Sequence, residues 1–122
     1  MAGAGRVVVS CTAGAEAPDN VTVSYLTAGA ALDNGREVVM WLSVEGVRLG
    51  QSGYADAIQA PGAPAVADLH QQFIDKGGRF YVCPICWSAR ELDDGTLVAN
   101  AELKGATPLM EFAEPGTLTF SY

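Results

Sequence analysis

Cations are scarce in this chain: seven Lys and Arg stand against 14 Asp and Glu, for a formal net charge of −7. The seven are scattered and form no patch that could grip phosphates, so nucleic acid is excluded as an expected partner. An acidic surface favours solubility and identifies no substrate. Histidine occurs once, as His70, so no Ser-His-Asp arrangement can be argued. The three cysteines are an odd count with no export signal, which speaks against a disulfide scaffold and for reduced thiols. No apolar run is long enough to cross a bilayer, so no membrane association is expected. Residues 1–5 lack a basic region followed by an apolar stretch, and the expected location is the cytoplasm. No Gly-x-Gly-x-x-Gly or Walker loop is present, and no cofactor is expected.

What is present suits one globular unit. The chain has 122 residues, of which 49% are hydrophobic and 17% charged, enough for one core and too apolar for disorder. A single domain over residues 1–122 follows, without repeats or low-complexity linkers.

Apolar runs alternate with helical patterns, the signature of βαβ units. Residues 6–12 (RVVVSCT) and 37–44 (EVVMWLSV) are almost wholly apolar and predict central parallel strands. Between them, Asp19 or Asn20 can cap a helix over 21–32, stopped by Asn34-Gly35. Residues 45–64 form a long polar connection, of the kind that is either functional or mobile. Val66, Leu69, Phe73 and Ile74 form one stripe of a helix over 65–76. Residues 79–82 then lead as a strand into Cys83-Pro84-Ile85-Cys86 and a short helix with Pro84 at its first position. A strand over 101–104, a helix over 107–114 and a strand over 117–122 complete five strands and four helices. Right-handed crossovers put helices on both faces of a parallel sheet, and the simplest order is 2-1-3-4-5, the flavodoxin-like topology.

In such sheets ligands bind beyond the carboxyl ends of the strands. Cys11, Glu45 and Cys83 close the first three strands and are expected on one rim. Cys83 also precedes a helix, where free N–H groups favour a thiolate, the nucleophilic form. Pro84 removes one donor but pre-sets the turn. Arg90 reaches back to this rim only if the helix is short or bent. The plainer alternatives are that Cys11 is a small buried hydrophobe, that Cys86 is structural, and that His70 is a half-buried helix residue. Trp41 and Trp87 read as core or interface aromatics, and Asp93-Asp94 as a solvated turn. The Cys83-x-x-Cys86 spacing admits a redox dithiol or zinc. A closed zinc site needs four ligands, which one such pair, a distant Cys11 and His70 do not readily supply, so no metal is assigned.

The segment from Phe80 to Arg90 (FYVCPICWSAR) resembles the cysteine motif of the DsrE/DsrF-like family, in which a strand ends in Val-Cys and Ala-Arg follows in the next helix. Val44-Glu45-Gly46-Val47 resembles the family's second-strand end. Lys104-Gly105-Ala106 and Thr117-Leu118-Thr119-Phe120 resemble its closing strand-helix-strand segment. The resemblance runs from Arg6 to Tyr122. It implies a three-layer α/β/α domain assembling into homo-oligomers, often trimers or hexamers, and a homotrimer is the expectation here. Some members carry sulfur as a cysteine persulfide in relays for sulfur oxidation or tRNA thiolation, and their sulfur-carrying cysteine maps onto Cys83. One departure is Glu91, where many members have Gly.

The leading expectation is therefore a sulfur-handling protein, and if an enzyme, a persulfide sulfurtransferase. Its partners would be sulfur donor and acceptor proteins or small thiols. Cys83 would carry the sulfur, Cys86 or Cys11 could resolve it, and Glu45, Gly46, Pro84 and Arg90 would line the ligand site. The competing readings are a non-catalytic oligomeric module that binds a small ligand or supports assembly, and a Cys83/Cys86 dithiol redox protein.

Overall fold

The computed structural model describes residues 5–122. The expectation that residues 1–4 belong to no leader lies outside them.

Five parallel strands form one sheet: β1 (Arg6–Cys11), β2 (Glu37–Leu42), β3 (Arg79–Val82), β4 (Ala101–Leu103) and β5 (Leu118–Ser121). The helices are α1 (Pro18–Asp33), α2 (Val66–Asp75), α3 (Pro84–Ala89) and α4 (Ala106–Phe112). The long connection after β2 is not structureless: it contains 3-10 turns at Val44–Gly50 and Tyr54–Ala57. Helix α1 starts earlier than the Asp19 or Asn20 cap predicts. Pro18 occupies its first turn after the N-cap Ala17, and its fixed φ makes that turn without a side-chain cap.

Strand alternation sorts the core into two layers. Val7, Val9, Cys11, Met40, Leu42, Phe80 and Val82 face the large core with α1 and α2. Val8, Val39 and Tyr81 face Leu109 and Phe112 of α4. The result is the expected three-layer α/β/α arrangement of a five-stranded parallel sheet.

The strand order is 4-3-2-1-5, not 2-1-3-4-5. The reason lies in the helices. An order of 2-1-3 reverses direction after β2, and right-handed crossovers would then separate α1 and α2 onto opposite faces. Instead Tyr25 of α1 meets His70 and Phe73 of α2 edge to face, at ring-centroid distances of 5.7 and 6.2 Å. Both helices bury their stripes in one core, so the chain steps β1, β2, β3, β4 in one direction. Helix α4 then crosses back beneath the sheet to deliver β5 beside β1. The strand order therefore reverses between β1 and β5, not between β1 and β3.

Candidate functional site

All five strands are parallel, so the residues that follow them share the carboxyl edge. Backbone hydrogen bonds stitch that edge together: Ser43 N–H to the Cys11 carbonyl at 3.3 Å, Cys83 N–H to the Leu42 carbonyl at 2.9 Å, and Lys104 N–H to the Val82 carbonyl at 3.1 Å. Cys11, Glu45 and Cys83 thus belong to one edge, in the lateral sequence β1, β2, β3. Cys11 and Cys83 are not on neighbouring strands, because β2 lies between them.

Cys11 points inward. It is fully buried, and its thiol donates to the Ala13 carbonyl at 3.5 Å. Burial pushes this thiol up, against the smaller opposing effect of hydrogen bonding to Ser24 and Ala13. The enclosed small hydrophobe foreseen as one alternative matches this position.

Cys83 is the N-cap of α3, half-buried and free, with backbone φ −59° and ψ 115°. Pro84 occupies the first turn, and Trp87 N–H returns to the Cys83 carbonyl at 3.0 Å. Cys86 is also free and half-buried, one turn further on. Ile85, between them in sequence, has 81% of its surface exposed, and Val44 after β2 is exposed as well. Such apolar side chains beside a thiol suit contact with another molecule better than solvation. Trp87 is buried and anchors α3; its indole N–H donates to Asp94 at 2.8 Å, so Asp94 does more than solvate a turn.

Arg90 does fold back, because α3 is only six residues long and Arg90 caps its end. Its guanidinium meets a carboxylate: Nε donates to Glu45 Oε1 at 2.7 Å, and Nη1 donates to the Cys86 carbonyl at 3.1 Å. Arg48 Nε donates to Glu45 Oε2 at 2.8 Å. One carboxylate therefore joins two guanidinium groups, which hold the Glu45 carboxyl below its usual range, Arg90 contributing most. Sequence reading missed Arg48. Its signal was present in the i, i+3 spacing from Glu45, once residues 44–50 are recognised as a turn of 3-10 helix.

Gly46 has a packing role. A side chain there would run into the carbonyl of Cys11, so the turn after β2 seats directly on the end of β1. Val44, which leads into that turn, has φ 54°, a left-handed conformation costly for a β-branched residue. Glu91 has φ 53°. It occupies the glycine position of a Schellman ending to α3: Glu91 N–H donates to the Ser88 carbonyl at 2.9 Å and Leu92 N–H to the Trp87 carbonyl at 3.4 Å.

His70 lies away from this edge. Its Nδ1 is 2.6 Å from Tyr25 Oη, and its ring stacks on Phe80 at 5.3 Å. Among the described residues, no three His, Cys, Asp or Glu side chains form a set that could hold a metal ion. Two surface clefts, of about 200 and 340 Å³, lie between α1 and α2 and between α1 and β5, away from Cys83. No helix among the described residues is long and apolar enough to cross a membrane.

Comparison with known proteins bears on the whole of this architecture. The model of the DsrE/DsrF-like family matches residues 5–120. An uncharacterized protein of Methanocaldococcus jannaschii, MJ0760, is 24% identical over 101 residues, covering 83% of this chain and 37% of that protein. The chain thus spans little more than a third of the length of that relative. Among solved structures, the ychN protein from E. coli superposes with a TM-score of 0.76 at 14% identity, covering 96% of this chain and 98% of the other. The protein of unknown function MTH1491 from Methanobacterium thermoautotrophicum superposes with a TM-score of 0.67 at 14% identity and the same coverage. These likenesses establish the fold.

Proposed function

The chain belongs to the DsrE/DsrF-like family, and from that premise we propose that it handles sulfane sulfur as a persulfide on Cys83. The observation that carries the reading is the placement of Cys83: a free, half-buried thiol closing a central strand, at the position that matches the family's cysteine motif. A second support is the exposed Ile85, two residues on in the same turn, which offers an apolar landing for a donor or acceptor.

The step is a thiol exchange. The Cys83 thiolate attacks the outer sulfur of a donor persulfide, R–S–SH. The donor's S–S bond breaks, R–S⁻ leaves with the electron pair, and Cys83–S–SH remains. Atoms, charge and oxidation level balance without a metal or oxidant. Arg90, Glu45 and Arg48 act as positioning residues: they tie α3 to the turn after β2 and so fix Cys83 against that edge.

The test is intact-mass and peptide mass spectrometry after incubation with a small-molecule persulfide. In a Cys86→Ser chain, which keeps Cys83 without its neighbouring thiol, the expected result is the added mass of one sulfur atom on the Cys83 peptide, abolished by Cys83→Ser and retained in Cys11→Ala. A chain that stays unmodified, or is modified equally in Cys83→Ser, overturns the reading.

A further inference from the structure

We propose that Cys86 resolves the persulfide on Cys83, so that the chain releases sulfide and closes a Cys83–Cys86 disulfide; the inference rests on the reading of Cys83 given above. Sulfide release within one chain needs a second thiol within disulfide reach of Cys83. Two other cysteines exist, and the fold decides between them.

Cys11 ends β1 and Cys83 follows β3, with β2 between. Two strand spacings separate them by about 10 Å, beyond the ~7 Å Cα separation that a disulfide can bridge. Cys11 is also fully buried, with its thiol committed to the Ala13 carbonyl. Cys86 stands three residues after Cys83, from the N-cap to the third residue of α3. Helical geometry places such Cα atoms about 5 Å apart, inside the range of about 4.4–6.8 Å found in disulfides. Helical side chains lean toward the N-terminus, so the Cys86 sulfur is carried toward Cys83, as a third-position side chain returns to its cap in a capping box. Two hydrogen bonds hold this turn: Trp87 N–H to the Cys83 carbonyl at 3.0 Å and Arg90 Nη1 to the Cys86 carbonyl at 3.1 Å.

The chemistry balances. Cys86 loses its proton to solvent, and its thiolate attacks Sγ of Cys83–S–SH. The bond to the outer sulfur breaks and hydrosulfide, HS⁻, leaves with the electron pair. The sulfane sulfur gains two electrons, and the two cysteine thiols, now a disulfide, have supplied them. An external dithiol then reduces that disulfide by exchange and becomes a disulfide itself.

The experiment loads the full chain with glutathione persulfide, removes the donor by rapid desalting, and follows free sulfide and intact mass. Wild type is expected to release one sulfide per loaded persulfide and to end with a disulfide mapped to Cys83 and Cys86. In Cys86→Ser the Cys83 persulfide should persist at least about tenfold longer, because the resolving thiol no longer has the advantage of proximity. Cys86→Ala should match it, and Cys11→Ala should behave as wild type. A wild-type persulfide as durable as that of Cys86→Ser, or a disulfide mapped to Cys11, overturns the role of Cys86 and leaves Cys83 as a carrier. Failure of every variant to load sulfur on Cys83 overturns both proposals.

Discussion

Gly46 lies so close to the carbonyl of Cys11 that no side chain fits between them. The turn that presents Glu45 is therefore seated on the end of β1, and the obstruction is backbone, which cannot swing aside. Gly46→Ala should destabilise the fold by about 2–3 kcal/mol, and the Glu45–Arg90 contact should loosen with it. Urea denaturation measures the first. A faster hydrogen exchange of the Arg90 and Glu91 amides, with no such change in β5, measures the second.

Glu91 gives the opposite sign. It ends α3 in a left-handed conformation, φ 53°, and is exposed. A left-handed non-glycine residue costs about 1–2 kcal/mol, part of which glycine returns as entropy of the unfolded chain. Glu91→Gly should stabilise the protein by about 0.5–1 kcal/mol, a rise in Tm of a few degrees. An unchanged or lower Tm would show that the carboxylate compensates for the strain.

These two positions show what was legible in the sequence and what was not. The apolar runs gave β1 and β2, and the stripe Val66, Leu69, Phe73 and Ile74 gave α2, because periodicity reports burial directly. The five-stranded parallel sheet and its three layers followed from alternation of strand and helix. The strand order did not follow, because no local pattern encodes which way a crossover turns. It is fixed by the packing of Tyr25 against Phe73 and His70, 45 or more residues apart. At the rim, Cys83 was legible from its place between a strand run and Pro84. Arg48 was not, because residues 45–64 read as one polar connection, whereas Val44–Gly50 is a turn of 3-10 helix.

Acid should weaken the protein in two stages. His70 is held neutral: burial lowers its pKa from the ordinary 6.5, and only Asp56 acts against that. Tyr25 Oη lies 2.6 Å from Nδ1; with the phenol, kept protonated by burial, as donor, protonation of His70 removes the acceptor. Phe73 and Phe80 close the rest of the pocket around this pair. For a group with a depressed folded pKa, stability is full above the unfolded value and is lost as pH falls toward the folded one. The first loss therefore begins near pH 6.5, and His70→Asn, which keeps an acceptor but cannot titrate, should flatten it. The second begins near pH 4.5 and deepens below it, as Glu45 is protonated and releases Arg90 and Arg48, and Glu102 releases Arg79. Glu45→Gln should reduce only this second slope. Thermal melts from pH 8 to 2.5 separate the two.

A proposal about assembly rests on how little of the sheet's second face is covered. Five strands at about 4.8 Å spacing make a sheet about 20 Å wide, and among the described residues a single helix of seven residues, α4, lies beneath it. A helix is about 10 Å across, so Trp41 remains only partly buried at its margin. Met110 of α4 is 63% exposed. The edge strand β5 leaves all four of its residues exposed, including Leu118 and Phe120. Unpaired edges and apolar margins of this kind are ordinarily covered. We propose a homotrimer in solution, so that light scattering at micromolar concentration should give three times the chain mass of 12.7 kDa. Phe120→Glu and Met110→Glu each place a charge on one candidate surface, and whichever of them lowers the mass to that of the monomer identifies the contact. A monomer mass for the unmodified chain rejects the assembly while leaving the sulfur chemistry of Cys83 intact, because none of the residues named for that chemistry lies on β5 or α4.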